Sequence, residues 1–333
     1  MNKSTCIIFG GTGFIGSHFA QFLTAHHLAD KVILADIAPP KATFNFDNNQ
    51  VKYIKLDVRQ PIDNPNLSQP PNLIINLAAI HREPGHEPYE YFETNLLGAK
   101  YVCAWADKIG CNHIIFTSSI APYGPTESIK TEESIPVPIS AYGSSKLAAE
   151  KIHIGWQGAG SARKLVIVRP GVVFGPEENG NVTRLVQAVI HRYFLYMGNR
   201  KSRKAGGYVK ELINTTLWAL ERIPDDGGVF LYNFSMKHPP TVEEYAKTTC
   251  KVAGIKRFVP TVPYALLLAV SYLIEAIARP FGITQPINPT RIRKLVRSNN
   301  IDPAVLRQQN YQYLYSLESA MRDWKRERPD EWD

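Results

Sequence analysis

The chain has 333 residues, 38 of them basic and 30 acidic, for a formal net charge of +8. That length accommodates one large α/β domain with a smaller partner, and 44% hydrophobic residues exclude a disordered chain. The four cysteines (Cys6, Cys103, Cys111 and Cys250) have neither disulfide-like nor metal-like spacing, so no metal site is expected.

Thr5-Cys-Ile-Ile-Phe9 is a short apolar strand, with Cys6 as a buried small hydrophobe. The residues before it leave no room for a signal peptide, and a reducing cytoplasm is the expected setting. Glycines follow, then an amphipathic segment to about Leu28. Lys31–Asp36 is a second strand ending on an acid, and Val51–Asp57 alternates as a third. Four prolines within 61–71 make the next crossover a loop or a very short helix. Asn72–Leu77 and His113–Thr117 are the fourth and fifth strands, with a helix over Pro88–Ile109 between them. A helix over Tyr142–Gln157 precedes a sixth strand, Lys164–Arg169. Strands alternating with helices, several nearly all apolar, predict a doubly wound parallel sheet of the Rossmann type.

After Arg169 the regularity loosens. The expected division is a cofactor-binding domain over 1–175, with part of 208–235 returning to it. A substrate lobe would comprise 176–207 and 236–333. The chain shows no internal repeat and no low-complexity tract.

The spacing Gly10-x-x-Gly13-x-x-Gly16 lies between a strand and a helix. Glycine allows the tight turn, and backbone N–H groups near Phe14 and Ile15 can meet a pyrophosphate at the helix start. Asp36, about twenty residues on, is placed to accept from the adenosine ribose hydroxyls and to repel a 2′-phosphate. This favours NAD over NADP, although Lys41 lies near enough to leave NADP open. Asp57 and Val58, closing the third strand, either touch the adenine or simply cap the strand.

Tyr142 and Lys146 stand one helical turn apart in Ala-Tyr-Gly-Ser-Ser-Lys, on the same face. A tyrosine with an ordinary pKa near 10 is a poor base at neutral pH, and a neighbouring cation favours its phenolate. The pair suits proton transfer at an alcohol while hydride moves at the carbon behind it. Phe116-Thr-Ser118-Ser119 lies upstream as a further element of the same chemistry. By itself Tyr-x-x-x-Lys would be a solvated helix face; with the glycine turn and the serines it predicts an NAD(P)-dependent enzyme.

Together these residues resemble the extended short-chain dehydrogenase/reductase superfamily, the group that includes UDP-glucose 4-epimerase. The resemblance runs from the first strand to Asp302. It takes in Gly10–Gly16, Asp36, Asp57-Val58, Leu77-Ala78-Ala79, Asn95, Phe116–Ser119, Tyr142/Lys146 and Arg169-Pro-Gly-Val-Val-Phe-Gly-Pro176. It implies that Tyr142 is the acid/base, that Lys146 binds the nicotinamide ribose, and that Ser119 hydrogen-bonds the reacting hydroxyl. Ser118, Asn95, Leu77–Ala79, Pro170 and Val173 are implied as further contacts of bound NAD. A second copy of the chain is the expected partner.

A narrower likeness, through His81-Arg82-Glu83, Gly180-Asn181-Val182 and the stretch from Val262 to Lys294, is to N-acetylglucosaminyl-diphospho-undecaprenol 4-epimerases and related enzymes of surface-polysaccharide (O-antigen) pathways. It implies substrate contacts at His81, Asn181, Val182 and Lys204. Two departures stand out: Tyr208-Val-Lys-Glu211 where many relatives have Tyr-Val-Asp-Asp, and Lys204 where many have arginine. A lysine keeps the charge but not the bidentate fork, which puts the phosphate-binding mode in question.

His81 can equally be a sugar or phosphate contact or a plain loop histidine. Asn181 is expected as a helix N-cap. The cationic clusters Arg200–Lys204 and Arg291–Arg297 suit a diphosphate or an anionic membrane better than nucleic acid, for which no recognition motif is present. Residues 262–278 are apolar nearly all round, marginal for a bilayer span, and read either as a buried helix or as an interfacial one.

The expected activity is therefore an NAD-dependent sugar 4-epimerase working through a 4-keto intermediate on a nucleotide- or polyprenyl-diphosphate hexose. A 4-keto-sugar reductase would use the same residues. A 4,6-dehydratase is disfavoured because Ser118-Ser119 replaces an Asp-Glu pair. A non-catalytic NAD-binding regulator is the alternative of a different class.

Overall fold

The computed structural model describes residues 4–278 and 298–333, apart from 45, 48, 64–66, 68 and 84. The basic residues Arg291, Arg293, Lys294 and Arg297 lie outside the described residues.

Strands that are apolar on both faces need cover on both sides, and helices supply it. The first half runs β1 (Thr5–Phe9), α1 (Phe14–Ala25), β2 (Lys31–Asp36), β3 (Val51–Lys55), β4 (Leu73–Asn76), α2 (Pro88–Tyr91), α3 (Gly98–Ile109) and β5 (His113–Thr117). Next come β6 (Thr126–Lys130), α4 (Ala141–Gly158), β7 (Lys164–Pro170), β8 (Val172–Phe174), α5 (Asn181–Ile190), β9 (Tyr196–Met197) and β10 (Gly206–Tyr208). The rest is α6 (Val209–Glu221), β11 (Gly228–Phe234), α7 (Val242–Ala253), β12 (Thr261–Val262), α8 (Tyr264–Ala278), β13 (Asn299–Ile301), α9 (Ala304–Gln308) and α10 (Leu317–Glu327).

The main sheet has seven parallel strands in the order β11-β7-β5-β4-β1-β2-β3. The doubly wound parallel sheet expected from the alternation of strands and helices is thus present. Side chains alternate across it. Ile8, Leu34, Ile75, Ile115 and Val166 face α1 and α6 through Phe19, Leu23, Leu212 and Ile213. Ile7, Phe9, Ile33, Ile74, Ile114 and Ile167 face α3 and α4 through Val102, Trp105, Ala149 and Trp156. The strand order reverses between β1 and β4, and ligands of such sheets bind in the crevice beyond the strand ends there.

Three local features differ from expectation. The helix over Pro88–Ile109 is interrupted by a π-helical stretch at Phe92–Leu97. Such stretches are uncommon and frequent at functional sites. β3 ends at Lys55, and the carboxylate of Asp57 is gripped by Arg59 through its backbone N–H, Nε and Nη2. The N-cap of α5 is Gly180, not Asn181. Glu178 supplies the capping oxygen instead, accepting from the Thr183 N–H at 3.0 Å.

Helix α8 bears on the first of its two readings. Of its fifteen residues only Ser271 and Ala278 are buried, whereas Leu273 and Ile277 are 62% and 61% exposed. It is not a buried lobe helix. Among the described residues no helix is long and apolar enough to cross a membrane.

The departure at Tyr208-Val-Lys-Glu211 has a structural explanation. Glu211 is fully buried at the start of α6 and accepts from the Tyr311 hydroxyl and from the N–H groups of Leu314 and Tyr315. Lys210 pairs with Asp323 and Glu327 on α10. Both residues hold the C-terminal segment against the body.

Candidate functional site

The glycine turn is shaped by close approach. Gly10 has φ +73°, and a Cβ there would stand 2.8 Å from the Ala78 nitrogen, so no side chain fits between β1 and β4. A Cβ on Gly16 would meet the Gly10 carbonyl at 2.7 Å. Gly13 is the N-cap of α1 and offers no side-chain cap, which leaves the first helical N–H groups to an incoming anion. Phe14 and Ile15, both half-buried, pack their side chains against the core.

Asp36 ends β2 beside the turn. One carboxylate oxygen accepts from the Thr12 N–H at 3.2 Å and the other from the Ile37 N–H at 2.7 Å. The carboxylate is thus fixed next to the glycine turn. Lys41 pairs with Glu177 at 3.7 Å. Val58 packs beneath α3, where a Cβ on Gly98 would strike it at 2.9 Å. These residues fit a dinucleotide: a backbone cradle for the pyrophosphate and an acceptor for the ribose.

Beyond β4, Leu77 and Ala78 pack on opposite cores and Ala79 continues into the loop. Asn95, in the π-helical stretch, braces that loop. Its amide oxygen accepts from the Ile80 N–H at 2.9 Å, and its Nδ2 donates to the Ile80 carbonyl and to Ser145 Oγ on α4. His81 follows on the same loop. Desolvation holds its pKa below the ordinary value, and the charges of Arg82 and Lys146 add to this.

Tyr142 and Lys146 rise from the first turns of α4. Ser140 caps that helix, accepting from the Gly143 N–H at 3.1 Å. Burial pushes the Tyr142 phenol above its ordinary value, a hydrogen bond with Ser119 works against this, and the Glu83 carboxylate raises it further. Ser119 also accepts from the Ala121 N–H. Lys146 is only 2% exposed. Its Nζ donates to the Thr117 carbonyl at 2.7 Å and lies 4.3 Å above the Phe116 ring. Desolvation lowers its pKa to about 7, with Glu150 pulling the other way. The lowering of Tyr142 that was expected from Lys146 is thus not what the protein alone shows; burial dominates.

Ser118 does not point into the crevice. Its hydroxyl donates to Glu150 at 2.5 Å, and the backbone N–H holds the Val168 carbonyl on β7. Arg169 closes the other side of Glu150 with two hydrogen bonds, 2.8 and 2.6 Å. The sequence reading missed Glu150, although its place four residues after Lys146 on one helical face was a usable signal.

Pro170 and Val173 follow at the end of β7 and on β8, where the Pro170 carbonyl accepts from the Ile120 N–H. Val182 is buried in the core and can meet a ligand only through its backbone. Asn181 accepts from Arg184. Lys204 leads into β10, with desolvation lowering its pKa and the Glu127 carboxylate raising it. No group of His, Cys, Asp and Glu that could hold a metal occurs among the described residues.

The sequence matches the NAD dependent epimerase/dehydratase family over residues 6–232. It is similar to an N-acetyl-alpha-D-glucosaminyl-diphospho-ditrans,octacis-undecaprenol 4-epimerase of Escherichia coli O157:H7, 26% identical over 74% of this chain and 75% of that protein. It is 24% identical to a decarboxylating sterol-4-alpha-carboxylate 3-dehydrogenase of Candida albicans, over 90% of each chain. In structure it resembles a UDP-N-acetylglucosamine 4-epimerase of Methanobrevibacter ruminantium M1 in complex with UDP-N-acetylmuramic acid. That likeness has a TM-score of 0.73 at 19% identity, over 100% of this chain and 98% of that one, and it speaks to the fold.

The Asp36 carboxylate, held beside the glycine turn, gives a testable expectation for cofactor preference. Asp36→Ala should weaken NAD binding and narrow its advantage over NADP, because the ribose acceptor and the repulsion of a 2′-phosphate vanish together. Titrating both cofactors by fluorescence checks this; a wild-type preference for NADP would contradict it.

Proposed function

The chain belongs to the NAD-dependent epimerase/dehydratase family, and from that premise we propose that it is a sugar 4-epimerase. Its substrate would be a hexose or N-acetylhexose carried on a diphosphate. The observation that carries this reading is the convergence of Tyr142, Ser119 and Lys146 at the crevice beside the glycine turn. Residues 1–175, with 208–235, provide the cofactor half; 176–207 and 236–333 provide the sugar half.

Bound NAD supplies the hydride acceptor and then the donor. Tyr142 holds the proton of the hydroxyl at carbon 4 of the sugar, taking it as hydride leaves that carbon and giving it back when hydride returns to the other face. Ser119, in contact with the Tyr142 hydroxyl, orients the same oxygen. Lys146 places a cation behind the tyrosine. The 4-keto sugar turns over between the two half-reactions, and His81 and Lys204 are the side chains that meet the sugar and its diphosphate. Product keeps the oxidation level of substrate, so no reductant is consumed, unlike in a 4-keto-sugar reductase.

Incubating the protein with UDP-N-acetylglucosamine and with N-acetylglucosaminyl-diphospho-polyprenol tests this. The 4-epimer should form from at least one carrier with no added NADH. Tyr142→Phe should keep fold and NAD binding while turnover falls ~10²–10⁴-fold, the usual contribution of general acid–base catalysis. Turnover near the wild-type rate in that variant would remove Tyr142 from the mechanism.

The same reading includes a homodimer, a place in surface-polysaccharide synthesis, and peripheral contact with the inner face of the cell membrane. Support for the last comes from α8 with its exposed Leu266, Leu273 and Ile277. It follows β12, which pairs with β9, in a chain of net charge +8. Apolar insertion and attraction to anionic lipid would act together there. The protein should sediment with phosphatidylglycerol vesicles, less so at high salt. Leu273→Glu with Ile277→Glu should abolish the binding; protein wholly in the supernatant at low salt would contradict the contact.

A further inference from the structure

Tyr91, the last residue of α2, touches two parts of the site at once. Its hydroxyl donates to the Arg82 carbonyl at 2.5 Å, and its ring centroid lies 6.2 Å from that of Tyr142, tilted by 53°. The start of α2 is held by the Glu87 N–H, which donates to the Glu90 carboxylate at 2.7 Å, and His86 packs edge-on against the Tyr91 ring. Four residues on, in the π-helical stretch, Asn95 grips Ile80. Its amide accepts from the Ile80 N–H at 2.9 Å and donates to the Ile80 carbonyl at 3.1 Å. Tyr91 and Asn95 are each only 2% exposed. The loop after β4 is thus pinned at Ile80 and again at Arg82, and His81 is the residue between the pins.

We infer that Tyr91 is a positioning residue for the diphosphate-sugar: its hydroxyl fixes the backbone around His81, and its ring is a wall against which Tyr142 stands. What His81 meets rests on the epimerase reading above; the pinning itself does not. His81, Arg82 and Glu83 are exposed loop residues, the kind that are mobile unless tied down. Here two buried side chains are given over to them. A core role for Tyr91 needs only the ring, and a phenylalanine would supply that. The Arg82 carbonyl, on an exposed residue, can turn to water once the tyrosine hydroxyl is gone, so losing the bond leaves no buried group unpaired. The hydroxyl therefore contributes to the placing of the loop more than to the stability of the fold.

Tyr91→Phe removes the hydroxyl and keeps the ring. In the NAD-loaded protein, hydrogen exchange over residues 80–83 should quicken about three- to tenfold, the factor that corresponds to one net hydrogen bond. The melting temperature should stay at the wild-type value. With UDP-N-acetylglucosamine or N-acetylglucosaminyl-diphospho-polyprenol as substrate, KM should rise by a similar factor and kcat should stay within about twofold, the signature of lost binding and not of lost chemistry. Tyr91→Leu removes the contact with the Tyr142 ring as well, so kcat should fall about tenfold or more, as a misplaced reacting group costs. Tyr89→Phe, at an exposed tyrosine of the same helix, should change none of these. Unchanged exchange at 80–83 in Tyr91→Phe would overturn the inference. So would a lowered melting temperature with KM unmoved, which would make Tyr91 a strut of the core. Tyr91→Phe decides the matter even if Tyr91→Leu does not fold. A loosened loop in Tyr91→Phe, beside a wild type that epimerises neither sugar, would support the pinning and count against the proposed reaction.

Discussion

An ammonium group shut away from water is the constraint around which the site is arranged. Lys146 satisfies a donor on the Thr117 carbonyl, rests on the Phe116 ring and has Glu150 one turn below. Each of these demands fixes something else. The carbonyl and the ring belong to β5, so α4 is held at one height against that strand. The glutamate is locked by Ser118 and Arg169, so β5 and β7 are tied beneath the helix. Tyr142 and Ser119 then meet as a result of that register, at the strand ends where the sheet opens.

The second half of the site is built by subtraction. The close contact of Gly10 with Ala78 draws β1 and β4 together at the reversal of strand order, and the uncapped start of α1 leaves its donors facing the same crevice. Asp36 closes the far end. A long dinucleotide suits such a trough, lying from the uncapped start of α1 toward Tyr142 on a different helix. Asn95 joins the two halves: one amide braces the Ile80 backbone and reaches Ser145 on α4.

Much of this could be read from the residues. The apolar runs of β1, β2, β4, β5 and β7 mark the strands of a sheet covered on both faces, and the turn glycines sit where a strand meets a helix. The Tyr142/Lys146 spacing names the chemistry. What could not be read has physical reasons. Glu150 looks like a solvated helix residue until Arg169, on a strand formed after the helix ends, arrives to pair with it. Asn181 has the right residue type for an N-cap, but Glu178 reaches back and takes that place. Lys210 and Glu211 acquire meaning only from partners roughly a hundred positions away. A buried apolar helix and an interfacial one have the same composition, so the exposure of α8 could not be read from residues 262–278 alone.

The central claim is that hydrogen leaves carbon 4 of a sugar and returns to that same carbon inside one site. N-acetylglucosamine deuterated at carbon 4, carried on UDP and on a polyprenyl diphosphate, tests it most directly. Mass spectrometry of the 4-epimer formed without added reductant should find the deuterium retained at carbon 4, with none lost to solvent. Deuterium washed out of the product, or no epimer from either carrier, would contradict the account.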